Sequence, residues 1–292
     1  MAGPPDGRAA ATMTYKLLIT DLDGTLLDAH GRVHDRDRRA IAALLARGVR
    51  VSLCTGRMYS GSRDIARELD LNCPVGCVDG SHIVNPRNDG ELVLKSIGCE
   101  AARELCTALN QHRPVTFVFA DDTLHHDEHG AEFLSYVMTW SRCTRRLDDV
   151  IAERRWYEEG CISGLVAIGN EAQILGVERF VRERLADRLQ VAAFEIRRIA
   201  VTPGTWGMVV RAAGASKGTA LEWIARYEKI APDEVVAVGD WLNDVPMLRA
   251  AGLSFAMAQA PEEVAEAASE RLEADHTTGG GIEEAAERAG LL

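Results

Sequence analysis

Leu17-Leu18-Ile19-Thr20-Asp21-Leu22-Asp23-Gly24-Thr25 is where the patterned part of the chain begins. Three apolar residues ending in a polar one read as a short buried strand. The strand runs directly into two aspartates, and Gly24 lets the backbone turn away immediately after them. A buried strand that delivers carboxylates to its carboxyl end is the frame for everything downstream.

The period alternates outward from that stretch. Ile41, Leu44 and Leu45 share one face of a helix predicted over 35–47, and 49–53 reads as a strand. A helix over 58–69 and a short strand over 75–78 follow. The same alternation resumes with helix 217–229, strand 235–238, helix 244–251, strand 253–257 and helix 261–269. Such β-α-β-α order predicts a parallel sheet covered by helices on both faces. Between 83 and 210 the texture is strand-rich, with strands expected at 92–95, 116–120, 164–168, 194–201 and 206–210 and helices at 100–111 and 173–189. The expected organisation is a disordered leader over 1–14 (Met13 being an alternative start), a core made of 15–83 and 211–292, and an inserted α+β domain over 84–210.

The 292 residues carry 33 Lys+Arg against 44 Asp+Glu, a formal charge of −11. An acidic surface repels phosphate backbones and anionic lipid, so neither nucleic acid nor a membrane surface is an expected partner. Six Phe, five Tyr and five Trp are too few for a stacking platform. The longest nearly apolar run, 160–169, falls short of the ~18–20 residues that span a bilayer. Seven scattered cysteines point to free thiols in a reducing, cytoplasmic compartment.

Four segments fall where strands of the alternating half end: Asp21 to Thr25, Thr55-Gly56-Arg57, Ser216-Lys217-Gly218, and Gly239-Asp240-Trp241-Leu242-Asn243-Asp244. In open α/β sheets the carboxyl ends of the strands share one crevice, so these segments are expected to converge. Asp21, Asp23, Asp240 and Asp244 would then face a single Lys217. Two carboxylates ~4 Å apart repel by about 4 kcal/mol at an effective dielectric near 20. A cation is therefore required, and an oxygen-only ligand set suits Mg²⁺ rather than Zn²⁺. A metal-loaded acidic pocket with a lysine and a hydroxyl suits phosphoryl transfer. Asp21 would attack phosphorus as a carboxylate nucleophile, and Asp23 would protonate the leaving oxygen and later activate water.

The four motifs, in this order, resemble those of the haloacid dehalogenase (HAD) superfamily. The single long insertion is similar to that of its Cof-type phosphatases with a C2B cap. The resemblance implies a Rossmann-like, doubly wound parallel sheet with a C2B-type α+β cap. It implies Asp21 as nucleophile, Asp23 as acid/base, and Thr55 and Lys217 as holders of the phosphoryl group. It places Mg²⁺ on the Asp21 carboxylate, the Asp23 carbonyl and Asp240, with Asp244 supporting the metal waters or Lys217. Gly24, Thr25, Gly56, Arg57, Asp79, Gly80 and Asn243 are the expected substrate-binding residues. Many relatives place Asn-Gly after the third strand, whereas this chain has Asp79-Gly80-Ser81, a departure bearing on substrate preference. The implied substrate is a small phosphomonoester: a sugar phosphate, a nucleotide or a cofactor phosphate. A phosphomutase of the same superfamily and a phospho-accepting receiver-like signalling protein are the alternatives, and monomer and homodimer stay open.

Other signals take plainer readings. Cys54 is expected as a buried strand residue rather than a nucleophile, and Cys73 and Cys77 as free thiols. His125-His126-Asp127-Glu128-His129 is expected in a solvated cap loop. Gly279-Gly280-Gly281 is expected as a turn before a helix over 282–289 rather than a phosphate cradle. Trp241 fits either a core plug or a pocket wall.

Overall fold

The computed structural model describes residues 15–196 and 202–292. The predicted leader and residues 197–201 of the strand expected over 194–201 lie outside them. In chain order the first elements are β1 (Leu17–Thr20), α1 (Asp35–Ala46), β2 (Arg50–Leu53), α2 (Tyr59–Glu68), β3 (Val75–Cys77), β4 (His82–Asn85) and β5 (Gly90–Leu94). Then come α3 (Cys99–His112), β6 (Val115–Ala120), β7 (Thr123–His126), α4 (Leu134–Val137), β8 (Thr144–Arg146), α5 (Arg155–Glu158), β9 (Ile162–Asn170), α6 (Glu171–Arg184), β10 (Leu189–Glu195) and β11 (Thr205–Ala212). The chain closes with α7 (Lys217–Tyr227), β12 (Val235–Gly239), α8 (Val245–Ala250), β13 (Leu253–Ala256), α9 (Glu262–Ala267), β14 (Glu270–Arg271) and α10 (Gly281–Arg288).

Five strands form a parallel sheet in the order β14-β13-β12-β1-β2. The parallel bridge Cys54↔Gly76 carries the arrangement on to β3. β1 and β12 lie at its centre and are buried on both faces. Alternate residues serve the two sides: Leu18 and Val236 pack with Ile41, Leu44, Ile282 and Ala285, while Leu17, Ile19, Val235 and Ala237 pack with Leu221, Ile224 and Met247. Strands apolar at every position are what a sheet covered twice requires. A six-stranded, mostly antiparallel sheet, β10-β11-β9-β6-β7-β8, makes the second layer system. One of its faces carries α3 and α6 through Leu105, Leu109, Ile174, Val177 and Val181. Phe117, Phe119, Val166 and Ile168, from the other face, join the same cluster as Met58 and Val78 of the first half. This is an α/β fold with a doubly wound parallel sheet and an inserted α+β unit.

Several local expectations are corrected. The helix expected over 173–189 starts earlier, because Asn170 and Gln173 form a reciprocal capping box, and stops at Arg184. Leu189 continues the apolar spacing, but it is buried as the first residue of β10, opposite Ala212. His125 and His126 are not in a solvated loop: both are buried on β7, His125 edge-on to Trp156 with ring centroids 5.1 Å apart. The expected domain limits at 83/84 and 210/211 fall inside β4 and β11. Each strand is held whole by its ladder, Val84 to Val75 and Arg211 to Gln190. No helix of the described residues is long and apolar enough to cross a membrane.

Gly279 and Gly280 lead into α10, whose first residue is Gly281, and their N–H groups are engaged, that of Gly279 by Asp275 O at 2.9 Å. The buried Asp37 carboxylate on α1 accepts from Gly280 N (2.8 Å), Ile282 N (2.8 Å) and Glu283 N (3.2 Å), capping α10 from another element. Asp37→Ala leaves those buried N–H groups without an acceptor and is expected to lower unfolding stability by about 2–3 kcal/mol. Urea denaturation measures this; an unchanged midpoint would show that the cap is not energetically significant.

Candidate active site

The parallel ladder continues one residue past β1, where Asp21 N donates to Val238 O at 3.0 Å. That aligns the Asp21 and Asp240 loops side by side at the carboxyl end of the sheet. Lys217 opens α7 behind the Ser216 cap, whose hydroxyl accepts from Thr219 N. A cation in a first helical turn opposes the helix dipole and calls for anions, and here two are supplied. Lys217 Nζ, buried to 1% exposure, lies 2.7 Å from Asp21 Oδ1 and 2.6 Å from Asp244 Oδ1. The other Asp244 oxygen, Oδ2, accepts from Asp240 N (2.9 Å) and Trp241 N (3.0 Å). Asp244 therefore fixes the lysine and the Asp240 loop together.

Asp240 is held from two sides. Thr25 Oγ1 donates to its Oδ1 at 3.1 Å, and Gln259 Nε2 reaches its Oδ2 at 3.3 Å and Gly24 O at 2.6 Å. Gly24 is obligatory on two counts. Its φ is +82°, and a Cβ there would lie 2.3 Å from Asp240 Oδ2. Carboxylate oxygens of Asp21, Asp240 and Asp244 all lie within 4.8 Å of one another. The Asp23 side chain is not in that group. It is half-exposed and clasped bidentately by Arg57, Nε to Oδ2 at 2.7 Å and Nη2 to Oδ1 at 2.5 Å.

The remaining candidates form a second wall. Thr55, buried, accepts from Arg57 N at its hydroxyl (3.1 Å). Val78 N and Asp79 N donate to Arg57 O and Thr55 O, both at 2.9 Å, tying the turn after β3 to the Thr55 loop. Asp79 Oδ1 accepts from Asn243 Nδ2 at 2.8 Å, and Oδ2 pairs with Arg211 Nη1. The Arg57–Asp23 and Asn243–Asp79 contacts join this wall to the acidic cluster, so all four motif segments meet in one place. Gly80 packs closely against the start of α7: its φ is +90°, and a Cβ on it would lie 2.3 Å from Ser216 O.

Burial pushes the Asp21 carboxyl well above the usual range, Lys217 opposing while Asp244, Asp240 and Asp23 reinforce it. Burial, then Asp244, raises Asp240 to about 6. Burial works against the Lys217 ammonium, yet Asp21 and Asp244 outweigh it and hold the lysine charged. One cation among three buried carboxylates leaves the cluster short of positive charge, and its donors are hard oxygens. That suits a divalent oxygen-seeking ion.

Cys54 is fully buried with its thiol pushed far up by burial, which makes it inert. Trp241 is 57% exposed and is not a core plug. Sequence reasoning missed Arg211 and Gln259. Arg211 was visible only as a lone charge beside Val210 and Ala212. Nothing local says that it meets Asp79, 132 residues away.

The profile of the haloacid dehalogenase-like hydrolases matches residues 18–285. A phosphoglycolate phosphatase of Methanopyrus kandleri is 30% identical over 271 residues, 90% of this chain and 93% of that protein. A haloacid dehalogenase-like hydrolase of Bacteroides thetaiotaomicron superposes with a TM-score of 0.78 at 20% identity, covering 94% of this chain and 99% of that one. A chloroplastic endoribonuclease of Arabidopsis thaliana (YBEY) is 24% identical over 280 residues; the match takes 88% of this chain but spans only 44% of that protein. The chain belongs to the haloacid dehalogenase-like hydrolases. Within them it is a Cof-type phosphatase.

Without a bound cation, the raised carboxyl of Asp240 sets the sign of a pH effect. Its folded pKa of about 6 exceeds the ordinary 3.8, so its contribution to stability is fullest below 3.8 and is lost as pH rises through 6. In EDTA, unfolding stability is expected to fall by about 1 kcal/mol between pH 5 and 7 from this group. An Asp240→Asn protein should lose that slope. A wild-type slope retained in the variant refutes the assignment.

Proposed function

We propose that the chain is a Mg²⁺-dependent phosphomonoesterase that hydrolyses small phosphorylated metabolites through an aspartyl-phosphate. The observation that carries this reading is Lys217 Nζ bridging Asp21 and Asp244 beside Asp240 in one buried acidic cluster. Asp21, Asp240 and the Asp23 carbonyl would hold the cation, with Asp244 supporting its waters and Lys217. The cation supplies charge neutralisation of phosphoryl oxygens when bound.

The chain's own residues account for the steps. Lys217 and the Thr55 hydroxyl hold the phosphoryl oxygens. An Asp21 carboxylate oxygen bonds to phosphorus as the ester P–O bond breaks, and Asp23 gives its proton to the leaving alkoxide. Asp23 then takes a proton from water, whose oxygen attacks the same phosphorus; orthophosphate leaves and the Asp21 carboxylate is restored. Asp23 is engaged by Arg57 in this conformation, so the pair parts when Asp23 acts. Gly24, Thr25, Gly56, Arg57 and Asn243 line or brace the phosphate side.

Small substrates fit the way the second unit sits. Phe117, Phe119, Val166 and Ile168 pack toward Met58 and Val78, and Met58 N donates to Trp140 O at 2.8 Å beside the Thr55 loop. We assign residues 95–212 to this cap and residues 15–94 and 213–292 to the catalytic core. The name of the Methanopyrus relative supports a small anionic phosphomonoester, and seven free cysteines support work in a reducing compartment.

Asp21→Asn is expected to lower kcat for p-nitrophenyl phosphate by at least ~10³-fold with the fold intact. EDTA is expected to abolish wild-type turnover and Mg²⁺ to restore it, followed as released orthophosphate. Wild-type rates from the Asp21→Asn protein would end this reading.

A further inference from the structure

Asp79 poses an electrostatic problem inside the phosphate wall. It is buried, and it occupies the second of two consecutive left-handed positions, Val78 at φ +48° and Asp79 at φ +47°. Left-handed backbone at a β-branched residue is costly and persists only where its surroundings enforce it. Here the two N–H bonds to Arg57 O and Thr55 O do so. The result is a carboxylate fixed against the Thr55–Gly56 turn: a Cβ placed on Gly56 would lie 3.5 Å from Asp79 Oδ1 and 3.9 Å from Asn243 Nδ2. A bare carboxylate at that spot would repel any phosphoryl group bound by Thr55 and Lys217.

The compensation comes from a distant strand. Arg211, next to last in β11, sends its guanidinium to Asp79 Oδ2, and both side chains are nearly sealed from solvent. Asn243 takes the other oxygen. Because an ionised carboxylate only accepts hydrogen bonds, it fixes the Asn243 amide with its NH₂ toward Asp79. Arg211 Nε, also buried, has no hydrogen-bond partner among the described residues. The unit is thus neutral as a whole, orients Asn243, and is completed by a residue of the cap sheet.

We propose that Arg211 is a positioning residue of the phosphate site: by neutralising Asp79 it allows a carboxylate to orient Asn243 beside Thr55–Gly56 without repelling the substrate's phosphoryl group. The proposal rests on the phosphomonoesterase reading for its substrate, but not for its electrostatics. It requires that the harm done by losing Arg211 be the unmasked charge of Asp79, and so be repaired by removing that charge.

Four proteins test it: Arg211→Met, Arg211→Lys, Asp79→Asn and the double variant Asp79→Asn/Arg211→Met. Each is compared with wild type by steady-state hydrolysis of p-nitrophenyl phosphate with Mg²⁺ and by calorimetric titration with inorganic phosphate. Arg211→Met is expected to raise KM and the phosphate Kd by about tenfold, the equivalent of roughly 1.4 kcal/mol, while kcat changes less than about threefold. The double variant is expected to return both constants to within about threefold of wild type, and Arg211→Lys to stay close to wild type. Circular dichroism and thermal melting separate misfolding from weakened binding. Should Arg211→Met not fold, the Arg211→Lys and double variants still decide. A double variant that binds phosphate no better than Arg211→Met, or that is ten-fold weaker than wild type when the single does not fold, overturns the proposal. So does an Arg211→Met protein with wild-type constants. If wild type hydrolyses nothing, the proposed reaction fails, while the phosphate titrations still judge the Asp79–Arg211 pair.

Discussion

A single ammonium group, Lys217 Nζ, sealed between Asp21 and Asp244, is the constraint on which the arrangement of the site depends. Three buried carboxylates within 4.8 Å of one another are unfavourable together. A buried ion pair stripped of one partner typically costs about 3–5 kcal/mol, because the other charge is left uncompensated. Lys217 therefore does two jobs with one charge: it allows the acidic cluster to exist in the folded protein, and it fixes the Asp21 carboxylate through Oδ1. Its placement at the first position of α7, where the helix dipole opposes a cation, is tolerable because Asp21 and Asp244 lie in front of it.

The sheet explains why those groups meet at all. β1 and β12 are adjacent and parallel, in register from Leu17↔Val235 to Thr20↔Val238. Their next residues, Asp21 and Gly239-Asp240, thus leave the sheet at the same level. The apolar alternation that places Leu18 and Val236 on one face and Leu17 and Val235 on the other anchors this register through two separate cores. Slippage by one residue would exchange the two faces and separate Asp21 from Asp240. Hydrophobic packing and acid–base geometry are in this way one specification.

The inserted unit contributes more than a roof. Its apolar sheet face shares a cluster with Met58 and Val78, and it supplies Trp140 O to Met58 N and Arg211 to Asp79. Every one of these contacts touches the Thr55 loop or the turn after β3. The wall formed by Thr55, Asp79 and Asn243 is consequently built jointly by both parts of the chain, whereas the acidic cluster belongs to the core alone.

What the sequence determined was the alternation of apolar strands and helices, the positions of Asp21, Thr55, Lys217, Asp240 and Asp244 at strand and helix ends, and the presence of a strand-rich insertion. Those are local: a strand's apolar run, a cap such as Ser216 and a glycine after a carboxylate pair are all readable within a few residues. What only the tertiary structure decided were pairings between remote residues. Leu189 follows helical spacing yet begins β10, because its burial comes from Ala212 and its neighbours rather than from its own helix. His125 and His126 look solvated by composition, yet they are buried because β6, β8 and Trp156 surround β7. Gly280 serves Asp37, Gln259 steadies Asp240, and Arg211 neutralises Asp79 across 132 residues. Periodicity reports which side of an element is apolar; it carries no information about which distant charge will be brought against a polar side chain, and that is set by how the layers dock.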